Sequence, residues 1–207
     1  MQKVNIVVGR FQPFTRGHYA CINAAKKQAG LPTVICMINT TEAKIDKRHP
    51  FTTDMLIDVY SEVFNSDSNI LDIIPVVNAD IVKIGTKLRE YGYEVAAWTC
   101  GTDRYPVYSS MAEKYHEQAG LSDDFQMIEV PRTDEDISAT KARGCLIRND
   151  KSGFLSLVPA MPKSKADYLF DTLYTQIKKV YVDESLNKSL MLQYRVAKLE
   201  HLLNINK

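Results

Sequence analysis

Apolar, β-branched residues gather into five short runs: "VNIVVG" (4–9), "TVICMIN" (33–39), "ILDIIPVV" (70–77), "EVAAWTC" (94–100) and "FQMIEV" (125–130). Most are nearly continuous rather than alternating, the pattern of parallel strands covered on both faces. Between them the apolar positions recur at helical spacing. Residues 16–29 form one such stretch, ending at Gly30, where a left-handed glycine suits a helix stop. Residues 53–64 open on Thr and Asp, 80–91 stop before Gly92, and 107–119 stop before Gly120. Alternating strands and helices predict an α/β domain with a doubly wound parallel sheet.

The pattern changes after residue 165. The stretch "ADYLFDTLYTQIKKVYVDESLNKSLMLQYRVAKLEHLL" has neither glycine nor proline, no β-branched run, and a helical period. It reads as a C-terminal helical segment, 166–207, appended to a domain of residues 1–165. Leu190, Tyr194, Ala197 and Leu202 share a helical face. Such a face buries itself against the domain or against a second copy of the chain, as in a homo-oligomer.

Composition narrows the setting. The chain is 45% hydrophobic and 25% charged, as soluble globular proteins are. Its formal net charge of +1 exerts no global pull on nucleic acid or a membrane surface, so any anion site must be local. Cys21, Cys36, Cys100 and Cys145 are far apart and lack the spacing of a zinc site or a redox pair. They read as reduced thiols of an intracellular protein. The first residues lack the apolar core of a signal peptide, and no apolar run approaches the about 18 residues of a membrane span. The expected location is the cytoplasm.

Polar clusters follow the strands: "GRFQP" the first, "TTEAKIDKRHPF" the second, "NAD" the third, "GTDR" the fourth and "PRTDEDIS" the fifth. In a doubly wound sheet ligands bind beyond those strand ends. In "GRFQPFTRGH" (9–18), Pro13 and Phe14 turn the chain, Thr15 suits a helix cap, and Gly17 leaves room for a close ligand. His18 then falls in the first helical turn, where free N–H groups and the helix dipole favour an anion and oppose protonation of the ring. Arg10 and Arg16 add positive charge, and arginine can grip a phosphate with two N–H bonds. One histidine at a helix start is usually an ordinary surface or core residue; this company gives it a phosphate. In "ISATKAR" (137–143), Ser138 suits an N-cap, and Thr140 and Arg143 share one helical face. By itself that segment is a capped helix with a solvated basic face. Two anion-ready helix starts beside one sheet edge point to a phosphorylated ligand. Neither GxxxxGK[ST] nor GxGxxG occurs, which removes the main support for P-loop and dinucleotide-binding readings.

"GRFQPFTRGH" resembles the signature of the HxGH/TxGH nucleotidyltransferase superfamily, and "ISATKAR" is similar to its ISxTxxR partner. The nearest likeness is to archaeal-type nicotinamide mononucleotide adenylyltransferases, which share the GRFQPF opening. It continues through "RHPFT" (48–52) and "GFLSLVP" (153–159), and covers residues 1–165. The resemblance implies a Rossmann-like nucleotidyltransferase fold that transfers adenylyl from ATP, with Mg²⁺, to a mononucleotide acceptor and releases pyrophosphate. It implies catalytic roles for Arg10, Thr15, His18 and Arg143. ATP would be held by Gly9, Phe11, Gln12 and Gly17, by Gly101, Asp103 and Arg132, and by Ile137, Ser138 and Thr140. The acceptor would meet Gln12, Thr40, Trp98 and Tyr105, and no metal ligand is implied in the protein itself. Three departures stand out. Thr15 replaces the usual histidine, as in the pantetheine-phosphate branch; Leu56 stands where an arginine is usual; and 80–86, "DIVKIGT", lacks the stacking tryptophan. An aromatic from 98–108 is therefore expected to replace it, Tyr105, Tyr108 or Trp98, although Trp98 inside an apolar strand also reads as core. Cytidylyl transfer remains an alternative, but "RTDEDISATKAR" lacks the glycine of RTxGIST. A non-catalytic nucleotide sensor is the other.

Overall fold

The computed structural model describes residues 1–131 and 137–181. Five strands, β1 (Gln2–Gly9), β2 (Thr33–Ile38), β3 (Ile70–Val76), β4 (Tyr93–Gly101) and β5 (Gln126–Val130), pair in parallel in the order β3-β2-β1-β4-β5. Between them run α1 (Arg16–Ala29), a 3₁₀ turn (Glu42–Lys44) with α2 (Thr53–Phe64), α3 (Ile81–Glu90), and α4 (Tyr105–Lys114) with α5 (His116–Ala119). After β5 come α6 (Ala139–Ile147) and α7 (Lys151–Leu157), and the chain is helical again over 163–181. This is the expected doubly wound, Rossmann-like parallel sheet, with a helical C-terminal region.

The near-continuous apolar runs are buried on both faces, as their pattern required. Val7, Ile35, Met37 and Ile73 face Ile22 of α1, Leu56 and Val59 of α2, and Leu146 of α6. Ile6, Cys36, Ile74 and Trp98 face Ile84 and Leu88 of α3 and Ala112 of α4. The three central strands carry a buried polar ladder: Thr99 Oγ1 donates to Asn5 Oδ1 at 2.7 Å, and Asn5 Nδ2 donates to Thr33 Oγ1 at 3.0 Å. All three residues are fully buried. A slip in register would orphan these groups, so the ladder fixes how β2, β1 and β4 align.

Helix limits follow local chemistry. Gly30 sits at φ 66° and stops α1, Thr52 Oγ1 accepts from the Met55 N–H to start α2, and Ser138 Oγ accepts from the Lys141 N–H to start α6. The expected helix over 107–119 is two pieces broken at Tyr115. The break seats α5 on α3, where a Cβ at Gly85 would collide with the Ala119 carbonyl, and Arg89 Nη1 donates to that carbonyl at 2.5 Å.

The helix over 163–181 packs on the α1/α2 face of the sheet. Leu169, Phe170, Leu173 and Ile177 join the core that holds Ile22 and Met37. Lys165 Nζ donates to the Val63 carbonyl at 2.9 Å, to Asn65 Oδ1 at 2.6 Å and to Ser66 Oγ at 3.0 Å, closing the C-terminal end of α2. Leu190, Tyr194, Ala197 and Leu202 lie outside the described residues. All four thiols are buried. Among the described residues no helix is long and apolar enough to cross a membrane.

Phe170 is 3% exposed, with its ring edge-on to Phe154 at 5.6 Å and stacked on Tyr174 at 5.7 Å. Phe170→Ala is expected to lower stability to urea by about 3–5 kcal/mol, the usual range for a truncated core aromatic. A loss under about 1 kcal/mol would show that this helix does not share the core.

Candidate active site

The chain leaves β1 through a strained turn. Phe11 has φ 50°, a left-handed conformation that costs a bulky residue on the order of 1–3 kcal/mol. Its ring lies over Gly9, where an added Cβ would come within 3.2 Å of it. A single hydroxyl braces the turn: Tyr60 Oη, from α2, donates to the Phe11 carbonyl at 3.1 Å and accepts the Phe14 N–H at 2.8 Å. Burial pushes the Tyr60 phenol up, so it stays neutral and keeps its proton for the Phe11 carbonyl.

Gln12 was expected at the reacting phosphates. Its side chain is instead committed to the protein: Nε2 donates to the Phe51 carbonyl at 2.7 Å, and Oε1 accepts the Phe51 N–H at 3.2 Å. With Gln12 only 4% exposed, this amide acts as a one-residue strand pair. It ties the first motif to the "RHPFT" segment. The main-chain carbonyl of Gln12 accepts from Arg143 Nη1 at 2.6 Å. Three separated motifs thus meet at one residue.

His18 is held from three sides. The Phe11 ring meets it edge-on at 5.0 Å, Phe14 lies at 5.3 Å, and the Thr15 N–H donates to Nδ1 at 3.0 Å. Thr15 Oγ1 is 3.1 Å from the same nitrogen. This is a capping box with histidine in the place of glutamate. A nitrogen that accepts a backbone N–H carries no proton, so the neutral ring has its hydrogen on Nε2. Thr15, buried to 2% exposure, positions His18 rather than facing a ligand. Cys21, one turn along α1, is no nucleophile, because burial pushes its thiol up to about 12.

The second motif stands beside the first. Ile137 Cγ2 lies 3.9 Å from where a Cβ on Gly17 would be, so the starts of α1 and α6 adjoin. The expected face of α6 is present: Arg143 Nη2 donates to Thr140 Oγ1 at 3.1 Å. Arg143 is half-buried, and desolvation lowers its pKa while the nearby Asp46 and Tyr181 raise it. Arg10 and Arg16 are exposed, as is Asp103 beyond Gly101, with Arg104 Nε 3.7 Å from the Asp103 carboxylate. Thr40, buried beyond the end of β2, is tied to α2 through Thr53: its N–H donates to Thr53 Oγ1 at 2.7 Å, and its carbonyl accepts at 2.9 Å. Arg132 lies outside the described residues.

Trp98 corrects an expectation. It is fully buried, stacked on Tyr108 at 4.2 Å between centroids, and its Nε1 has no hydrogen-bond partner among the described residues. The ring packs in the α3/α4 face of the core and offers nothing to an acceptor base. Tyr108, 8% exposed, is committed to the same stack. Tyr105, half-buried in the first turn of α4, is the remaining aromatic of that stretch. Tyr60 escaped sequence reasoning, although a phenol on the buried stripe of α2 is a signal, since its hydroxyl needs a partner. Among the described residues no three His, Cys, Asp or Glu side chains form a group that could hold a metal ion.

Two helix N-termini, one carrying a fixed histidine and the other a Thr–Arg pair, adjoin beyond the strand ends of a parallel α/β sheet, where sheets of this kind bind their ligands. The cytidylyltransferase-like family model matches residues 6–145, and the chain belongs to that family. No curated protein matches it. Among solved structures, a Vibrio parahaemolyticus protein assigned as a nicotinate-nucleotide adenylyltransferase is 14% identical at a TM-score of 0.51, with 84% of this chain and 96% of that one covered. Plasmodium falciparum nicotinic acid mononucleotide adenylyltransferase, complexed with NaAD, is 13% identical at 0.54, with 85% and 98% covered. Thermotoga maritima TmcAL, bound with alpha-thio ATP, is 11% identical at 0.51, with 86% and 56% covered. At these identities the likeness is one of fold.

Two substitutions separate ligand space from scaffold. An added Cβ at Gly17 meets only ordinary contacts, Thr15 Oγ1 at 3.7 Å and Ile137 at 3.9 Å. Gly17→Ala is therefore expected to keep or raise the melting temperature, because alanine favours a helix by up to about 1 kcal/mol over glycine, while weakening ATP binding. Tyr60→Phe orphans the Phe14 N–H and Phe11 carbonyl and is expected to cost about 1–3 kcal/mol of stability. Calorimetry of both variants checks the pair, and unchanged ATP affinity in Gly17→Ala would show that no ligand approaches that glycine.

Proposed function

We propose that the chain transfers the adenylyl group of ATP to the phosphate of nicotinamide or nicotinate mononucleotide, forming a dinucleotide and pyrophosphate. The observation that carries this reading is the Thr15 N–H bond to His18 Nδ1 at 3.0 Å. It puts the proton of the neutral ring on Nε2, at the start of α1 and beside the start of α6. An oxygen of the acceptor phosphate attacks the α-phosphorus, and the bond to the α,β-bridging oxygen breaks, so the electron pair leaves with pyrophosphate. No side chain is acylated or phosphorylated. The protein positions the reactants and stabilises charge on the phosphoryl oxygens.

In this reading the His18 Nε2–H donates to an oxygen near the α- and β-phosphates, and the first N–H groups of α1 and α6 add their partial positive charge. Arg143, already oriented by Gln12 and Thr140, holds the distal phosphates with its remaining N–H groups. Arg10 meets the reacting phosphates from the solvent side. ATP enters as its Mg²⁺ complex, the ion carried on the triphosphate oxygens, in keeping with the habit of Mg²⁺ to bind through substrate phosphates. The nicotinate-type acceptor is supported by the GRFQPF opening and by the names of the Vibrio and Plasmodium structures. Tyr105 is the aromatic left to contact its ring.

Pyrophosphate release, measured with ATP and with CTP against nicotinamide mononucleotide, nicotinate mononucleotide and other phosphorylated acceptors, tests the proposal. Mg²⁺-dependent product with ATP and a pyridine mononucleotide is expected. Preference for CTP would make the chain a cytidylyltransferase, and hydrolysis of ATP to ADP and phosphate alone would overturn the transfer chemistry. His18→Ala is expected to lower kcat about 10²–10³-fold, the worth of one donor to developing charge. His18→Gln, which keeps an N–H donor, is expected to recover part of that loss.

A further inference from the structure

The Gln12 side chain is committed to Phe51, and its main chain leads to the second motif. Nε2 donates to the Phe51 carbonyl at 2.7 Å and Oε1 accepts the Phe51 N–H at 3.2 Å, with Phe51 itself fully buried. The peptide before Gln12 is held as well, because Tyr60 Oη donates to the Phe11 carbonyl at 3.1 Å. Restrained at both places, the Gln12 carbonyl presents a fixed acceptor, and Arg143 Nη1 donates to it at 2.6 Å. The other Arg143 bond, from Nη2 to Thr140 Oγ1 at 3.1 Å, stays within α6. The Gln12 carbonyl is therefore the partner that ties this guanidinium to the rest of the fold. Both bonds end on neutral oxygens, so neither cancels the charge of the half-buried arginine.

We propose that Gln12 is a positioning residue that acts through Arg143. Its grip on Phe51 sets the carbonyl on which the guanidinium rests, and so aims that fork at the distal phosphates of the nucleotide. This rests on the triphosphate reading of the site given above. An arginine stem turns about several bonds, while a planar fork matches a phosphate in only a few orientations. The bond to Thr140 steadies the side chain against its own helix, and the bond to Gln12 fixes it relative to the first motif. A carboxamide suits this task, because it offers an acceptor to the Phe51 N–H and a donor to the Phe51 carbonyl at once. Ionised glutamate lacks the donor, and methionine lacks both. Phosphates then meet a guanidinium already in place, with less rotamer freedom left to lose on binding. The "RHPFT" segment, through the Phe51 backbone, thereby bears on nucleotide affinity.

The test uses the full chain, with Mg²⁺–ATP and inorganic tripolyphosphate as probes in calorimetry. Gln12→Met keeps the length of the side chain without either bond. It is expected to weaken both probes about tenfold, the usual effect of losing one hydrogen bond to a charged group. Arg143 grips the phosphates in ground state and transition state alike, so the KM for ATP is expected to rise more than kcat falls. Arg143→Ala is expected to weaken both probes at least as much, and adding Gln12→Met to it is expected to weaken them no further. Melting temperatures identify the folded variants. In the parent, nitrogen-15 spectra of the Arg143 guanidinium, assigned by its loss in Arg143→Ala, are expected to show separate Nη1 and Nη2 signals before ligand is added. A single averaged Nη signal would overturn the proposal, even where Gln12→Met does not fold. A folded Gln12→Met that binds both probes normally, or losses that multiply in the double variant, would overturn it too and leave the transferase reading intact. A parent chain that binds neither probe would overturn the transferase reading itself, and this proposal with it.

Discussion

Strand β1 has β2 on one side and β4 on the other, so the helices that follow β1 and β4 pass to opposite faces of the sheet. A crevice must open beyond the carboxyl ends of those two strands. Helix α1 leaves on the face it shares with α2, and α4 leaves on the other. The chain returns after β5 to the α1 face with α6, and this brings two helix starts side by side at the mouth of the crevice. The polar ladder Thr33–Asn5–Thr99 holds the three strands in the alignment that puts Gly9 and Gly101 at its rim. Winding direction, more than any one side chain, decides that His18 of one helix start and the Thr140–Arg143 pair of the other meet.

What the crevice contains depends on how firmly the chain is held where it leaves β1. The turn at Phe11 is strained, and its strain is offset by groups distant in sequence: the Tyr60 hydroxyl, the Phe51 backbone and the Arg143 guanidinium. These bonds orient Phe11 and Phe14, which flank His18, while Thr15 selects its tautomer. Each supporting contact removes a degree of freedom from one imidazole. Preorganisation of that kind is what electrostatic stabilisation of a phosphoryl transition state requires.

Much of the scaffold is legible from local chemistry. Continuous apolar runs announce strands covered on both faces, Gly30 announces the end of α1, and Ser138 announces the start of α6, because each of these signals is set within a few residues. The break at Tyr115 is not legible, since it serves a contact between α5 and α3 across the fold. The site shows the same division. His18, Thr140 and Arg143 are placed by helix geometry and stand where their spacing put them. Gln12 reads as a ligand contact because its partner, Phe51, is far along the chain, and no periodicity links the two. Trp98 kept two readings in the sequence because an apolar strand of a doubly wound sheet has no polar face to tell a cleft side from a core side; packing against Tyr108 decides it.

The central claim is that His18 meets the nucleotide with a proton on Nε2, fixed there by the Thr15 N–H. Nitrogen-15 correlation spectra of the imidazoles, with His18 assigned among the four histidines by loss of its signals in His18→Gln, read this directly. The account predicts an unprotonated, pyridine-type Nδ1 and a protonated, pyrrole-type Nε2 in the free protein, with the Nε2 proton shifting downfield when Mg²⁺–ATP is added. A proton on Nδ1, or an Nε2 signal that ignores saturating ATP, would contradict it.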